Sequence, residues 1–120
     1  MQSDITISRG DIWEVRFDPA EGDEIQKVRP ALVVSVASSG RMQLRIVVPL
    51  TGWQPQFERF FWMVKIIPSS KNGLRKVSAT DCFQVKSISM NRFQRKLGIL
   101  GDPELNQITA AVALCIGYSP

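Results

Sequence analysis

Asp11-Ile12-Trp13-Glu14-Val15-Arg16-Phe17, residues 11–17, alternates between two environments, with Trp13, Val15 and Phe17 on one face and Glu14 and Arg16 on the other. Successive side chains of an extended chain point to opposite sides, so this period of two marks a half-buried strand. Gly10 precedes it. Downstream, the polar stretch from Asp18 to Val28 contains Pro19 and Gly22 and reads as a long loop. Pro30 to Val36 is a nearly continuous apolar run rich in valine, the composition of a central strand buried on both faces. Ser38-Ser39-Gly40 is a turn signal, and Gln43 to Pro49 alternates again with Leu44, Ile46 and Val48 on one face. A second long loop is expected from Leu50 through Gly52 and Pro55, and a fourth strand from Phe60 to Ile67.

Ser69 to Gly73 is a cluster of turn residues, Val77 to Ile88 returns to strand-like composition, and Ser89 to Arg95 has room for one helical turn. The last element is the clearest. Asp102 suits a helix cap, Pro103 its first position and Glu104 its positive end, while Leu105, Ile108, Val112 and Cys115 form one stripe and Gly117 a stop. Short antiparallel strands followed by one amphipathic helix predict a mainly β, α+β chain: a small, strongly curved sheet, expected as a compact SH3-like barrel with the helix packed against it.

The chain has 120 residues, 44% of them hydrophobic, which fits one domain with one core over 1–120. Cys82 and Cys115 stand far apart and outside any Cys-x-x-Cys spacing, against a disulfide framework or a zinc ribbon. No apolar run approaches the ~20 residues needed to cross a bilayer, and Met1 to Asp4 lacks the character of a signal peptide, so a soluble, cytoplasmic protein is expected. There is no histidine. Serine-histidine triads, histidine metal sites and histidine-pair ribonuclease chemistry are excluded, and an enzyme built on this chain works with Arg, Lys, Asp, Glu, Ser, Thr or Tyr. Phosphate-binding loops, dinucleotide glycine fingerprints and Gly-x-Ser-x-Gly elbows are also missing. Residues 1–60 hold 7 Lys/Arg against 8 Asp/Glu, whereas residues 61–120 hold 8 against 3, a basic half suited to a polyanion.

Arg9-Gly10-Asp11-Ile12-Trp13, Asp18-Pro19, Gly22-x-Glu24 and Val28-Arg29-Pro30-Ala31-Leu32-Val33-Val34 together resemble the N-terminal signature of the MazF/PemK family of toxin endoribonucleases. Val48-Pro49-Leu50-Thr51 resembles the family's strand-end Pro-x-Thr, and Gln84-Val85-Lys86-Ser87-Ile88 its late strand. Arg95-Lys96-Leu97-Gly98, followed by the capped helix, is also similar. The resemblance implies a CcdB/MazF-like barrel that forms a homodimer and cuts single-stranded RNA at a short sequence. It further implies cleavage without metal or cofactor, leaving a 2′,3′-cyclic phosphate and a 5′-hydroxyl, by the toxin of a toxin-antitoxin pair. The implied partner is a small acidic antitoxin whose flexible tail fills the same basic groove.

In that reaction the ribose 2′-oxygen attacks its neighbouring phosphate and charge grows on the non-bridging oxygens, so a fixed cation aimed there lowers the barrier. Arg29 is the candidate, being permanently charged, planar and matched to two phosphate oxygens. Thr51 is the candidate hydroxyl donor to the scissile phosphate. Glu24 occupies the family's loop carboxylate position, to orient Arg29 or accept a proton. Some members carry an acid immediately before the glutamine corresponding to Gln84, where this chain has Phe83; Asp81 lies two residues earlier, expected on the same strand face. Trp53 is the first candidate for stacking an unpaired base, with Phe57 and Phe83 behind it, whereas Trp13 and Trp62 are assigned to the core. Lys27, Arg75, Lys76 and Lys86, with Arg29, are the candidates for backbone phosphates. Two alternatives remain at this stage: a non-catalytic CcdB-like toxin acting on DNA gyrase, and a plain nucleic-acid-binding barrel.

Overall fold

The computed structural model describes residues 6–36 and 43–119, so the turn expected at Ser38 to Gly40 lies outside the described residues. Seven strands precede one helix: β1 (Asp11–Arg16), β2 (Val28–Val33), β3 (Leu44–Gly52), β4 (Met63–Ile66), β5 (Ser78–Asp81), β6 (Lys86–Ser89), β7 (Phe93–Ile99) and α1 (Asp102–Cys115). All pairings are antiparallel. The order is β4-β5-β3-β2-β1-β7, with β6 on the outer half of β3. The sheet curves strongly without closing among the described residues, an open version of the expected barrel.

β1 and β2 sit at the centre because their apolar content serves two faces. Ile12, Leu32 and Val48 join Leu105, Ile108 and Ala111 of α1 in one core, while Trp13, Val15, Ala31, Val33 and Val47 point the opposite way into a second. Each fully buried aliphatic side chain contributes about 2 kcal/mol. The double burial expected for the central strand holds over Ala31–Val33, but the strand ends there and Val36 is exposed. Leu44 and Ile46 share a face with Val48 as expected, yet both are about 40% exposed (43% and 42%), because the outer half of β3 runs beyond the helix-side core.

Two expectations about strand ends are corrected. β3 continues through Leu50–Gly52, where a loop was expected, because β5 supplies new partners there: Leu50 faces Thr80, Thr51 faces Ala79 and Gly52 faces Ser78. Thr51 is therefore inside a strand. The segment after Ser89 makes only a short 3-10 turn at Met90–Arg92, and β7 then pairs with β1 through two irregularities in register. α1 starts at Asp102, with Gly101 rather than Asp102 in the cap position, and Gly117 follows it at φ 88°, a left-handed conformation that suits glycine. No helix among the described residues is long and apolar enough to cross a membrane.

The motif at residues 9–13 is structural. Buried Asp11 accepts from Ser8 N (2.9 Å) and Trp13 Nε1 (3.2 Å), with Lys96 Nζ 3.4 Å from its second oxygen. Gly10, at φ 95°, donates to Val33 O (2.8 Å) and accepts from Leu100 N (2.9 Å), which stitches β2 and the start of α1 to β1.

Candidate functional site

Backbone pairing between β2 and β3 stops at Ala31 and Pro49. Beyond that pair β2 stays with β1 as far as Val28, while β3 leaves to pair with β5 from Leu50. The two strands therefore part at the position of Arg29 and Thr51. Each is two residues past the last pair, so alternation keeps Arg29 on the face of Ala31 and Thr51 on the face of Pro49, while their own strand partners are Val15 and Ala79. Arg29 is partly buried, its Nε donating to Gln26 O (3.3 Å), and it forms no ion pair among the described residues.

A cleft of about 490 Å³ opens on this same face. Phe17 of the first loop and Pro49 of β3 form part of its wall, Trp62 and Phe83 supply aromatic surface, and Asp81 lies within it. Glu24 and Lys86 line it as well, so three of the sequence candidates, Glu24, Phe83 and Lys86, converge here. Arg29 and Thr51 flank the strand split rather than line the cleft.

The wall made by residues 18–27 is held at both ends. Phe17 N donates to Lys27 O (2.8 Å), Lys27 N to Asp18 Oδ1 (2.9 Å), and Arg92 Nη1 to the carbonyls of Arg16 (3.0 Å) and Asp18 (2.6 Å). Lys27 takes φ 69°, which turns the loop sharply into β2. Gln84 forms the latch on the far side: its Oε1 accepts from Ile25 N (2.6 Å) and its Nε2 donates to Asp23 O (3.2 Å) and Asp81 Oδ2 (3.1 Å). Glu24 Oε1 accepts from Glu21 N (2.7 Å), shaping the loop; no ion pair joins Glu24 to Arg29 among the described residues.

Asp81 and Phe83 reach the cleft by a route the sequence did not suggest. β5 ends at Asp81 and Cys82–Gln84 forms a 3-10 turn, so the two are not alternate residues of one strand, yet both side chains line the cleft. Burial raises the Asp81 pKa above its ordinary 3.8, opposed by the Gln84 hydrogen bond and by the nearby N–H groups of Phe83 and Gln84. Oδ1 is fully enclosed and has no hydrogen bond of full geometry among the described residues.

The assignment of Trp62 to the core holds in part. It packs on the helix-side core but also faces the cleft, stacked on Phe60 (4.6 Å between ring centroids) and edge-on to Phe83 (5.0 Å). Trp13 is in the core, against Phe93. Trp53 follows β3 directly, with Phe57 edge-on at 5.7 Å and Lys65 Nζ 5.0 Å from its ring centroid. Arg75 and Lys76 do not join the cleft. With Pro30 and Arg95 they line a separate hollow of about 320 Å³, on the side of β2 opposite Arg29. Among the described residues no three His, Cys, Asp or Glu side chains gather as metal ligands. Sequence reasoning missed Phe17, Trp62 and the latch role of Gln84; the quoted Gln84 motif was the available signal for the last.

Residues 8–116 match the family described as PemK-like, MazF-like toxin of type II toxin-antitoxin system. The chain belongs to this family. Among relatives of this PemK/MazF-like chain, the endoribonuclease MazF9 of Mycobacterium tuberculosis is 30% identical over 114 residues, covering 90% of this chain and 94% of the relative. The endoribonuclease PemK of Escherichia coli is 31% identical over 104 residues, covering 85% and 76% respectively. The crystal structure of MazF from Deinococcus radiodurans has the same fold, with a TM-score of 0.79, 21% identity, and coverage of 96% of this chain and 100% of that one.

Proposed function

We propose that this chain is an endoribonuclease and the toxin of a toxin-antitoxin pair, cutting single-stranded RNA to 2′,3′-cyclic phosphate and 5′-hydroxyl ends. The observation that supports the reading is that Arg29 and Thr51 both stand just past the point where β2 and β3 part, in a member of a family whose relatives are named endoribonucleases. Those names favour a nuclease over a gyrase-binding toxin.

Arg29 stabilises the charge that develops on the non-bridging oxygens as the 2′-oxygen attacks phosphorus. That it has no carboxylate partner among the described residues supports that role, because an ion-paired guanidinium has fewer donors to offer a phosphate. The Thr51 hydroxyl donates to the same phosphate. Glu24, at the cleft wall, accepts the proton leaving the 2′-hydroxyl, and the departing 5′-oxygen takes a proton from water. Lys27 and Lys86 hold backbone phosphates beside the cleft, with Arg75 and Lys76 serving nucleotides further along the strand; Trp53, Phe57 and Phe83 provide stacking surface. Residues 1–120 act as one toxin domain in the cytoplasm, as a homodimer, inhibited by an acidic antitoxin.

The test is incubation of the purified protein with a long mixed-sequence single-stranded RNA in EDTA, followed by mapping of fragment ends. Discrete fragments with 5′-hydroxyl ends are expected. Intact RNA from folded protein, together with inhibited gyrase, would replace this reading with the gyrase one.

A further inference from the structure

The peptide unit between Gln26 and Lys27 is held from both sides. Its N–H donates to Asp18 Oδ1 (2.9 Å), and its carbonyl, Gln26 O, accepts from Arg29 Nε (3.3 Å). A trans peptide unit is planar and rigid, with N–H and C=O pointing in opposite directions, so Asp18 on one side fixes where the acceptor for Arg29 lies on the other. With Nε engaged, the guanidinium keeps its two terminal nitrogens for phosphate oxygens.

That orientation is the strained one. Lys27 takes φ 69°, a left-handed conformation that residues with a side chain rarely adopt, and a half-turn of this same peptide would return it to negative φ. The half-turn would present an N–H to the Arg29 guanidinium in place of a carbonyl, and two donors do not bind one another. Backbone strain of this kind persists only where the surroundings enforce it, and it collects where function needs a fixed geometry. Asp18 supplies the enforcement, because a carboxylate accepting from a backbone N–H makes a charge-assisted bond. Asp18 is itself anchored, its carbonyl accepting from Arg92 Nη1 (2.6 Å), while Phe17 N donates to Lys27 O (2.8 Å) at the root of the loop.

We propose that Asp18 is a positioning residue for Arg29, setting the Gln26–Lys27 peptide so that its carbonyl aims the guanidinium at the scissile phosphate. The proposal rests on the reading of Arg29 as the cation that stabilises the developing charge. Asp18 touches no substrate in this account and acts through one peptide group alone.

The experiment has two arms. The first follows the Arg29 Nε–H by NMR, the signal being assigned by its loss in Arg29→Ala, and needs no RNA. Its exchange with water is expected to quicken by about fivefold in Asp18→Ala, the scale of one lost hydrogen bond, and to stay at the wild-type rate in Asp18→Asn, whose side-chain oxygen still accepts from Lys27 N. The second arm compares single-turnover cleavage of a mixed-sequence RNA by the wild type, Asp18→Ala, Asp18→Asn, Arg29→Ala and the Asp18→Ala, Arg29→Ala double variant. Asp18→Ala should cut more slowly by about tenfold or more, the scale of a misaimed group, and Asp18→Asn close to the wild-type rate. Once Arg29 is gone, Asp18→Ala should cost nothing further. Losses that multiply, an asparagine variant as slow as the alanine one, or an Arg29 signal indifferent to Asp18 would overturn the proposal, and cleavage by the wild type would still leave the nuclease reading intact. Conversely, no cleavage by any of the proteins, together with an Arg29 signal that follows Asp18, would sustain the positioning and remove the nuclease. If Asp18→Ala is unfolded by circular dichroism, Asp18→Ser, whose hydroxyl is one bond short of Lys27 N, takes its place in both arms.

Discussion

A 3.1 Å hydrogen bond from Gln84 Nε2 to Asp81 Oδ2 joins the turn after β5 to the wall of the cleft, since the same amide also holds Asp23 O and Ile25 N. Replacing Gln84 with alanine removes all three bonds and releases the 18–27 loop without touching Arg29 or Thr51. The expected result is faster hydrogen exchange at the Ile25 amide and RNA cleavage slowed by about tenfold or more, the scale set by losing a positioning group. Unchanged exchange at Ile25 would mean that the loop is held by Arg92 and Asp18 alone.

Asp81 also imposes a pH dependence on stability. Burial lifts its folded-state pKa above the ordinary 3.8, so the folded chain holds this proton more tightly than the unfolded chain. Its contribution is full below about pH 4 and is lost as pH rises through the folded-state value. Thermal unfolding followed from pH 4 to pH 7 should therefore show Asp81→Asn gaining on the wild type as pH rises. Parallel curves would contradict the burial argument.

Asp11 tests whether the N-terminal motif is architecture or chemistry. Alanine at this position leaves Ser8 N and the Trp13 indole N–H without their acceptor and Lys96 without its partner. Denaturant unfolding should show a loss of about 1–3 kcal/mol. Retained stability with lost cleavage would assign Asp11 to the reaction instead.

The two thiols should separate cleanly. Burial pushes the Cys82 thiol up to about 11, and it is fully enclosed, whereas Cys115 is partly exposed on α1. Iodoacetamide on the native protein is expected to label Cys115 first and to reach Cys82 only on unfolding. Equal labelling would indicate that α1 detaches readily from the turn at Cys82–Gln84.

β1 and α1 were legible in the sequence because each carries one periodicity uninterrupted by turn residues. β7 was not, since Gln94, Arg95 and Lys96 are all exposed and its pairing with β1 is irregular. The end of β3 was hidden for a different reason: Thr51 and Gly52 carry local turn preferences that pairing with β5 overrides. Arg29, Thr51 and Glu24 could be singled out through their motif context, but nothing local says that β2 and β3 part where Arg29 and Thr51 stand. Trp62 illustrates the limit of periodicity in a curved sheet, where one side chain packs on the core and also lines a cleft.

The most direct test of the central claim is the single-turnover RNA cleavage rate of the wild type, Arg29→Ala, Thr51→Ala and the double variant under saturating protein. Arg29→Ala is predicted to slow cleavage by about 100-fold or more, the scale of removing one transition-state donor. Because both groups act on one phosphate, the double variant should lose less than the product of the two single losses. An Arg29→Ala protein that cuts at the wild-type rate would contradict the account.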